Sequence, residues 1–279
     1  MEKTKPSTGK GGGCMRRTKS MVRVRRQRPA GGAWAAAFLC VMLVVYGVTL
    51  SVKEEKRHVQ ANAPKTVHTL ALDGLEMHLV QLGAFSDRSA ARVAAAREVS
   101  RGAAGYVMDG SVYRVIAAGY ASREAAETVC MRLAAEEKMD ACVYSLSSGA
   151  CEGNITATQE QFDALIAAEK TIRLAENTLA ETADLLDRGD ILPRQAQNIL
   201  AVLESDLSGA HSRLASAYSG EKSEIASGFL QLLRTLCESC GRLSNEMGLT
   251  NLYFSSQIRY SYIQTGIEHI RFLKSWSSI

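Results

Sequence analysis

A phrase written twice constrains this fold more than any other feature. Residues 78–91 read HLVQLGAFSDRSAA and residues 113–126 read YRVIAAGYASREAA. Val80, Arg88, Ala90 and Ala91 return as Val115, Arg123, Ala125 and Ala126, and Phe85 returns as Tyr120, all at an offset of 35 residues. In the first copy Val80 and Leu82 point to one side, with Leu79, Gln81 and Gly83 on the other. This is the alternation of a half-buried strand. In the second copy Tyr113, Val115 and Ala117 share one side, and Arg114 and Ile116 the other. Each strand runs into an N-cap candidate, Asp87 or Ser122, and then into a helical pattern over 89–100 or 123–138. In the second helix Ala126, Val129, Cys130 and Leu133 fall on a single face.

Gly102 and Gly105 close the first helix. AGYVM (104–108) reads as a strand, Asp109-Gly110 as a hairpin turn, and ACVYSL (141–146) as a last strand. The order β-α-β-β-α-β predicts a four-stranded sheet with two helices on one face and the other face open. One βαβ unit cannot close a core, whereas two can. A solenoid would need more copies, and nothing similar returns after residue 150.

The rest of the chain has a helical period. Leu165, Ile172, Leu179 and Leu186 recur every seven residues. Leu200, Leu203, Leu207, Ala210, Leu214 and Ala217 form a second stripe. Ile225, Phe229, Leu232, Leu236, Leu243 and Met247 form a third, and Ile263, Ile267 and Ile270 belong to a fourth. Gly189 with Pro193, then Gly220, then Gly248 mark the joints. Four antiparallel helices or a pair of helical hairpins are the natural result. The predicted class is therefore α+β: a sheet domain over 73–147, a linker over 148–155, and an all-α helical bundle or coiled coil over 156–279.

Charge divides the N-terminal part. The 33 basic and 29 acidic residues are unevenly spread: ten bases and one acid lie in 1–30, leaving 23 bases against 28 acids beyond. A mildly acidic body argues against nucleic-acid binding. From Ala33 to Val52 there are 20 residues without a charge. That length spans a bilayer core, so residues 31–52 are predicted to be a transmembrane helix. The basic flank keeps residues 1–30 as a cytoplasmic tail and puts everything after Val52 outside the membrane. Residues 53–72, charged and holding Pro64, read as a linker.

Enzyme chemistry is not written in the chain. It has no H-E-x-x-H, G-x-S-x-G, P-loop or G-x-G-x-x-G motif, so neither a catalytic activity nor a cofactor or metal is expected. Its five His, at 58, 68, 78, 211 and 269, form no ligand pattern. Cys237 and Cys240 form a lone C-x-x-C in a helical stretch without two further zinc ligands nearby. Cys240 reads as a small apolar residue on a helix face. The open sheet face is more informative. Gln81, Gly83, Arg114 and Ile116 project from it as a shallow groove for an extended polar ligand, or as a solvated face.

The segment Val80-Gln81-Leu82-Gly83-Ala84-Phe85-Ser86, followed by Arg88 and Ala90-Ala91, resembles the first half of a SPOR (sporulation-related repeat) domain. Tyr113-Arg114-Val115, then Tyr120 and Ser122-Arg123-Glu124-Ala125-Ala126-Glu127, resembles its second half. The usual Gly-Pro-Phe of that half is here Ala118-Gly119-Tyr120. The resemblance implies binding to peptidoglycan glycan strands stripped of stem peptides, with Gln81 at a position the family uses for glycan. It also implies a place at the division or sporulation septum. Tail, anchor, linker and sheet domain follow the order of the family's sporulation members, and the extra C-terminal segment is similar to the stage II sporulation protein B type. The helical segment would then meet septal or sporulation proteins. A membrane-tethered assembly protein acting through those helices is the second reading. An RNA-binding module of the same βαββαβ order is the third, and it lacks the aromatic-rich strand that stacks bases.

Overall fold

The computed structural model describes residues 63–246 and 250–276. The predicted tail, the predicted membrane-spanning helix over 31–52, and the first part of the predicted linker lie outside the described residues. Among the described residues no helix is long and apolar enough to cross a membrane.

The repeat forms the sheet it predicts. β2 (Glu76–Phe85), α1 (Arg88–Val99), β3 (Tyr106–Met108), β4 (Tyr113–Tyr120), α2 (Arg123–Arg132) and β5 (Cys142–Ser147) make an antiparallel sheet of order β3-β4-β2-β5. Both caps are in place. Asp87 accepts from the Ala90 amide and Ser122 from the Ala125 amide, which satisfies first-turn donors. Val80, Ala118 and Ala126 form one small core beneath α2, and Ala91, Ala95 and Val115 another beneath α1.

The two predicted linkers contain strands. β1 (Thr66–Leu72) pairs antiparallel with β6 (Cys151–Ala157), from Thr66 opposite Ala157 to Leu72 opposite Cys151. The segments entering and leaving the sheet are thus zipped into a two-stranded neck. Leu70 and Leu72 alternate with exposed Thr69 and Ala71, and they are buried with the helices. His68 stacks on Phe162 with ring centroids 4.7 Å apart.

Four helices follow: α3 (Gln159–Arg188), α4 (Pro193–Ala217), α5 (Glu224–Asn245) and α6 (Asn251–Trp276). The seven-residue stripe Leu165, Ile172, Leu179 and Leu186 is buried along α3, and Leu200, Leu207 and Leu214 along α4. A capping box opens α3. The Thr158 hydroxyl accepts from the Gln161 amide, and Gln161 Oε1 accepts from the Thr158 amide. Gln161 Nε2 also donates to the Ala217 carbonyl at the end of α4, 3.1 Å away. Thr158→Ala is expected to cost about 1 kcal/mol, the usual loss for a capping hydroxyl, in urea unfolding of the full chain.

The sheet face expected to be open is covered. α6 lies across it, so the sheet is sandwiched between α1/α2 and α6. Ser256, Tyr260, Ile263, Ile267 and Ile270 recur every three or four residues and, with Gly266, form the stripe that meets the sheet. The Ser256 hydroxyl donates to the Ala103 carbonyl at 2.6 Å. Tyr260 meets Tyr106 edge to face, with centroids 5.3 Å apart. A side chain at Gly119 would press on Ile263, and one at Gly266 would collide with Met77, so both glycines permit close approach. Met77, Leu79 and Ile116 are buried in the same core as Phe254, Ile258, Ile263 and Ile267. Sequence reading treated sheet domain and bundle as separately closed. The structure makes α6 a wall of both.

Candidate functional site

Alternation predicted Gln81, Gly83, Arg114 and Ile116 on one face, and two register irregularities divide that set. Gln81 stands opposite Ile116, and paired residues share a face, so these two do come together. Between Gln81 and Gly83 the register slips, leaving Leu82 as the extra residue of a bulge. Gly83 then stands opposite Val115, and its nearest side chain is Phe85, both in the core beneath α1. Gly83 is therefore on the other side of the sheet from Gln81. Ile116 is on the predicted face but 0 % exposed, because α6 covers it. It is a core residue in this structure and not a contact for a ligand. Gln81 and Arg114 remain half-buried.

What is left open of this face is a cleft of about 330 Å³. The connection 109–111 after β3, Arg114 on β4, Tyr144 and Leu146 on β5, and the last turns of α6 enclose it. Ile267 and Ile270 contribute apolar surface, while Arg271 and Lys274 add charge. The Arg114 guanidinium lies over the Tyr144 ring, 4.7 Å from its centroid. Such stacking suits the planar guanidinium and leaves its edge for hydrogen bonds. Asp109, the acid in the lining, pairs with Arg88 at 3.2 Å.

On its opposite side α6 is fixed to α3 by buried charge. His269 is 0 % exposed and lies between Glu169 and Glu176, which stand about two turns apart on one face of α3. Protonated, its Nδ1–H donates to Glu176 Oε1 at 3.0 Å. Nε2 lies 3.2 Å from Glu169 Oε2 but off-line for a hydrogen bond, so this contact is ionic. Burial would push the imidazole down. The close carboxylates of Glu169 and Glu176 outweigh it and hold the pKa at about 9. Burial likewise opposes the Glu169 charge, yet His269 and Arg173 hold that carboxyl below its ordinary value. Arg259, further up α6, pairs with Asp184 and Asp187 of α3.

Cys240 is fully buried in the α5 stripe, and burial pushes its thiol up to about 12. The neighbouring Cys237 is also raised by burial, and its Sγ faces the Glu204 carbonyl. Neither is activated as a thiolate, so the C-x-x-C spacing serves packing.

Residues 76–145 match the SPOR domain family. This segment is a SPOR domain. The match begins with β2 and ends within β5, so it takes in part or all of each of the four strands and neither strand of the neck. SPOR domains are binding modules without catalytic chemistry, and they bind peptidoglycan. No curated protein and no solved structure matches the chain.

Sequence reasoning missed Tyr144 and Arg271, because it did not bring α6 to the SPOR sheet. One signal was available. From Phe254 to Leu273 the helix carries apolar or small residues on two faces, and a helix without a broad polar face is buried on both sides.

Proposed function

We propose that the chain is a non-catalytic cell-wall protein, anchored in the membrane by residues 31–52, whose SPOR domain holds it to peptidoglycan glycan strands. The SPOR match over the complete sheet carries this reading. The uncharged run Ala33–Val52 behind a basic flank supports the anchor and a cytoplasmic N-terminus. The glycan contacts are Gln81, Arg114 and Tyr144, which stay accessible beside α6. The site of action is the division or sporulation septum. β1 shortens the tether: residues 53–65 reach at most roughly 45 Å beyond the membrane, at 3.3–3.6 Å per residue.

Co-sedimentation of the full chain with wall sacculi tests the reading. Gln81→Ala is expected to weaken pelleting by about fivefold, the loss of one hydrogen bond worth roughly 1 kcal/mol, with the unfolding midpoint unchanged. No pelleting of the unaltered chain with intact or amidase-treated sacculi would refute wall binding. A reporter fused after Ile279 that is active only in the cytoplasm would refute the topology. A fluorescent fusion spread evenly around the cell would refute the septal address.

One observation favours a second role, assembly through the C-terminal helices. Leu174, Ile199 and Val202 line an apolar groove of about 380 Å³ on the outer surface of α3 and α4. Leu174 and Val202 are more than half exposed there. Septal targeting that survives Leu174→Glu and Val202→Glu together, with loss of function in the cell, would give the helices that partner role.

A further inference from the structure

We propose that the outer edge of β5 pairs with the same edge of a second copy of this chain, antiparallel about a twofold axis at Ser145, so that two four-stranded sheets become one of eight strands.

The ladder behind the edge fixes what it presents. The Ser148 amide donates to the Leu75 carbonyl at 2.9 Å, and the register runs on without a break from Glu76 opposite Ser147 to Gln81 opposite Cys142. Backbone groups alternate sides along a strand, so Cys142, Tyr144 and Leu146 turn theirs to β2, and Val143, Ser145 and Ser147 turn theirs outward. β5 is the last strand of its sheet, and among the described residues no hydrogen bond reaches those outward groups. Edge strands are normally guarded by charge, proline, a bulge or brevity. The opposite edge is guarded, because β3 has only 3 residues. β5 has 6 residues, an unbroken register, no proline, and no charge from Ala141 to Cys151.

The same features select the occupant. A charged peptide finds no opposite charge along this strand, whereas a second copy offers an identical uncharged one. Setting Ser145 opposite Ser145 places Val143 opposite Ser147. All the outward groups are then matched, and each pair exchanges two hydrogen bonds. Centring on Tyr144 or Leu146 instead leaves outward groups of the strand unmatched. On the α6 side, Tyr144 of each copy then meets Leu146 of the other, an aromatic–aliphatic cross-strand pair. Both side chains are only half-buried within one copy. The ends match as well. Exposed Asp140 precedes the strand, while Arg271 and Lys274 line the space beside Tyr144 and Leu146 towards its other end. Antiparallel pairing carries the acidic end of each copy toward the basic end of the other. One strand per copy is a small contact, so the dimer is reversible and grows with concentration.

Sedimentation velocity of the full chain in detergent, over a range of protein concentrations, tests the pairing. The unaltered chain is expected to pass from monomer to dimer. Ser145 is exposed, and Ser145→Pro deletes its outward N–H without touching the β2–β5 ladder. It should weaken the dimer about thirtyfold, the loss of two hydrogen bonds at the axis. Ser145→Ala keeps that N–H and loses only the hydroxyl that meets His78 Nδ1 at 2.8 Å, so it should dimerise as the unaltered chain does. Ser145→Lys keeps the N–H but sets two like charges opposite each other. It should dimerise weakly in low salt and recover as salt is added, which keeps the test decisive if proline disturbs the fold. Ser145→Cys combined with Cys142→Ser should be joined by a short bis-maleimide, with the link mapped to residue 145 on both copies. A chain that stays monomeric at every concentration and gives no such link would overturn the proposal. A dimer indifferent to Ser145→Pro and Ser145→Lys, but lost with Leu174→Glu and Val202→Glu, would lie in the bundle groove and overturn it. A monomer whose Val143 and Ser145 amides resist hydrogen exchange would show the edge covered by another part of the chain, and would overturn it too.

Discussion

A chain ending at residue 248 is expected to lose the fold of both its halves. α6 supplies Ile258, Ile263, Ile267 and Ile270 to a core that also holds Met77, Leu79 and Ile116 of the SPOR sheet. Without it those sheet residues face water, and so do the bundle surfaces of α3 and α5. Phe229, which meets Phe272 with ring centroids 5.0 Å apart, loses that partner. Burying one such side chain is worth about 1.5–3 kcal/mol, and several are lost together, against a typical total stability of about 5–15 kcal/mol. The truncated chain should aggregate or show collapsed near-ultraviolet dichroism. Ile116→Ala in the full chain is the graded version, expected to cost about 2–5 kcal/mol in urea unfolding. A soluble, monomeric fragment of residues 73–147 with sharp amide spectra would refute this dependence on α6.

His269 carries the second large effect. Replacing it with Ala leaves Glu169 and Glu176 buried and facing each other, a loss on the order of 3–5 kcal/mol. The pH dependence has a defined sign. The folded pKa of about 9 lies above the ordinary histidine value of about 6.5, so the stabilisation is complete below about pH 6.5 and lost as pH rises through about 9. The shift corresponds to about 3 kcal/mol for this fully buried group. Glu169, held below its ordinary value, acts in the opposite direction: its contribution is present above about pH 4.5 and lost in stronger acid. Unfolding free energy should therefore be greatest between about pH 5 and 6.5. Burial pushes the Tyr262 hydroxyl near Glu176 up to about 12, so it stays neutral across that window and does not change the sign. His269→Gln should flatten the fall between pH 6.5 and 9. An unaltered slope in that variant would show that another group titrates there.

The four strands of the SPOR sheet and both of its helices were legible because each carries a local signal. Strand alternation, caps at Asp87 and Ser122, and glycines at the exits lie within a few residues of what they specify. The four C-terminal helices were legible from their stripes for the same reason. The neck was not. β1 and β6 lie on either side of the repeat, and their pairing joins Thr66 to Ala157 across the whole sheet domain. The face of Gly83 was misread because a one-residue bulge reverses every side chain after it, and alternation counts straight through. Ile116 was assigned to a ligand site because its face looked open. An isoleucine opposite Gln81, with Met77 and Leu79 on the same face, was already a surface that needs covering. Of the candidate site, Gln81 and Arg114 were found from the repeat. Arg271 and Tyr144 acquire meaning only once α6 is placed. His269 meets two glutamates from a helix 93 residues away in sequence for one of them, a contact that no local pattern encodes.

The position of α6 also fixes an order of events as the chain is made. A polypeptide made from its N-terminal end delivers the SPOR strands well before α6. Ser256 reaches Ala103 across 153 residues, so this face of the sheet cannot be covered until α6 has been made. Until then Met77, Leu79 and Ile116 stay bare on a sheet whose other face has already condensed. Closing so long a loop is slow, and an apolar sheet waiting for its cover is prone to stick to its neighbours. The cleft lined by Arg114, Tyr144 and Arg271 is thereby absent from any chain that stops short of α6.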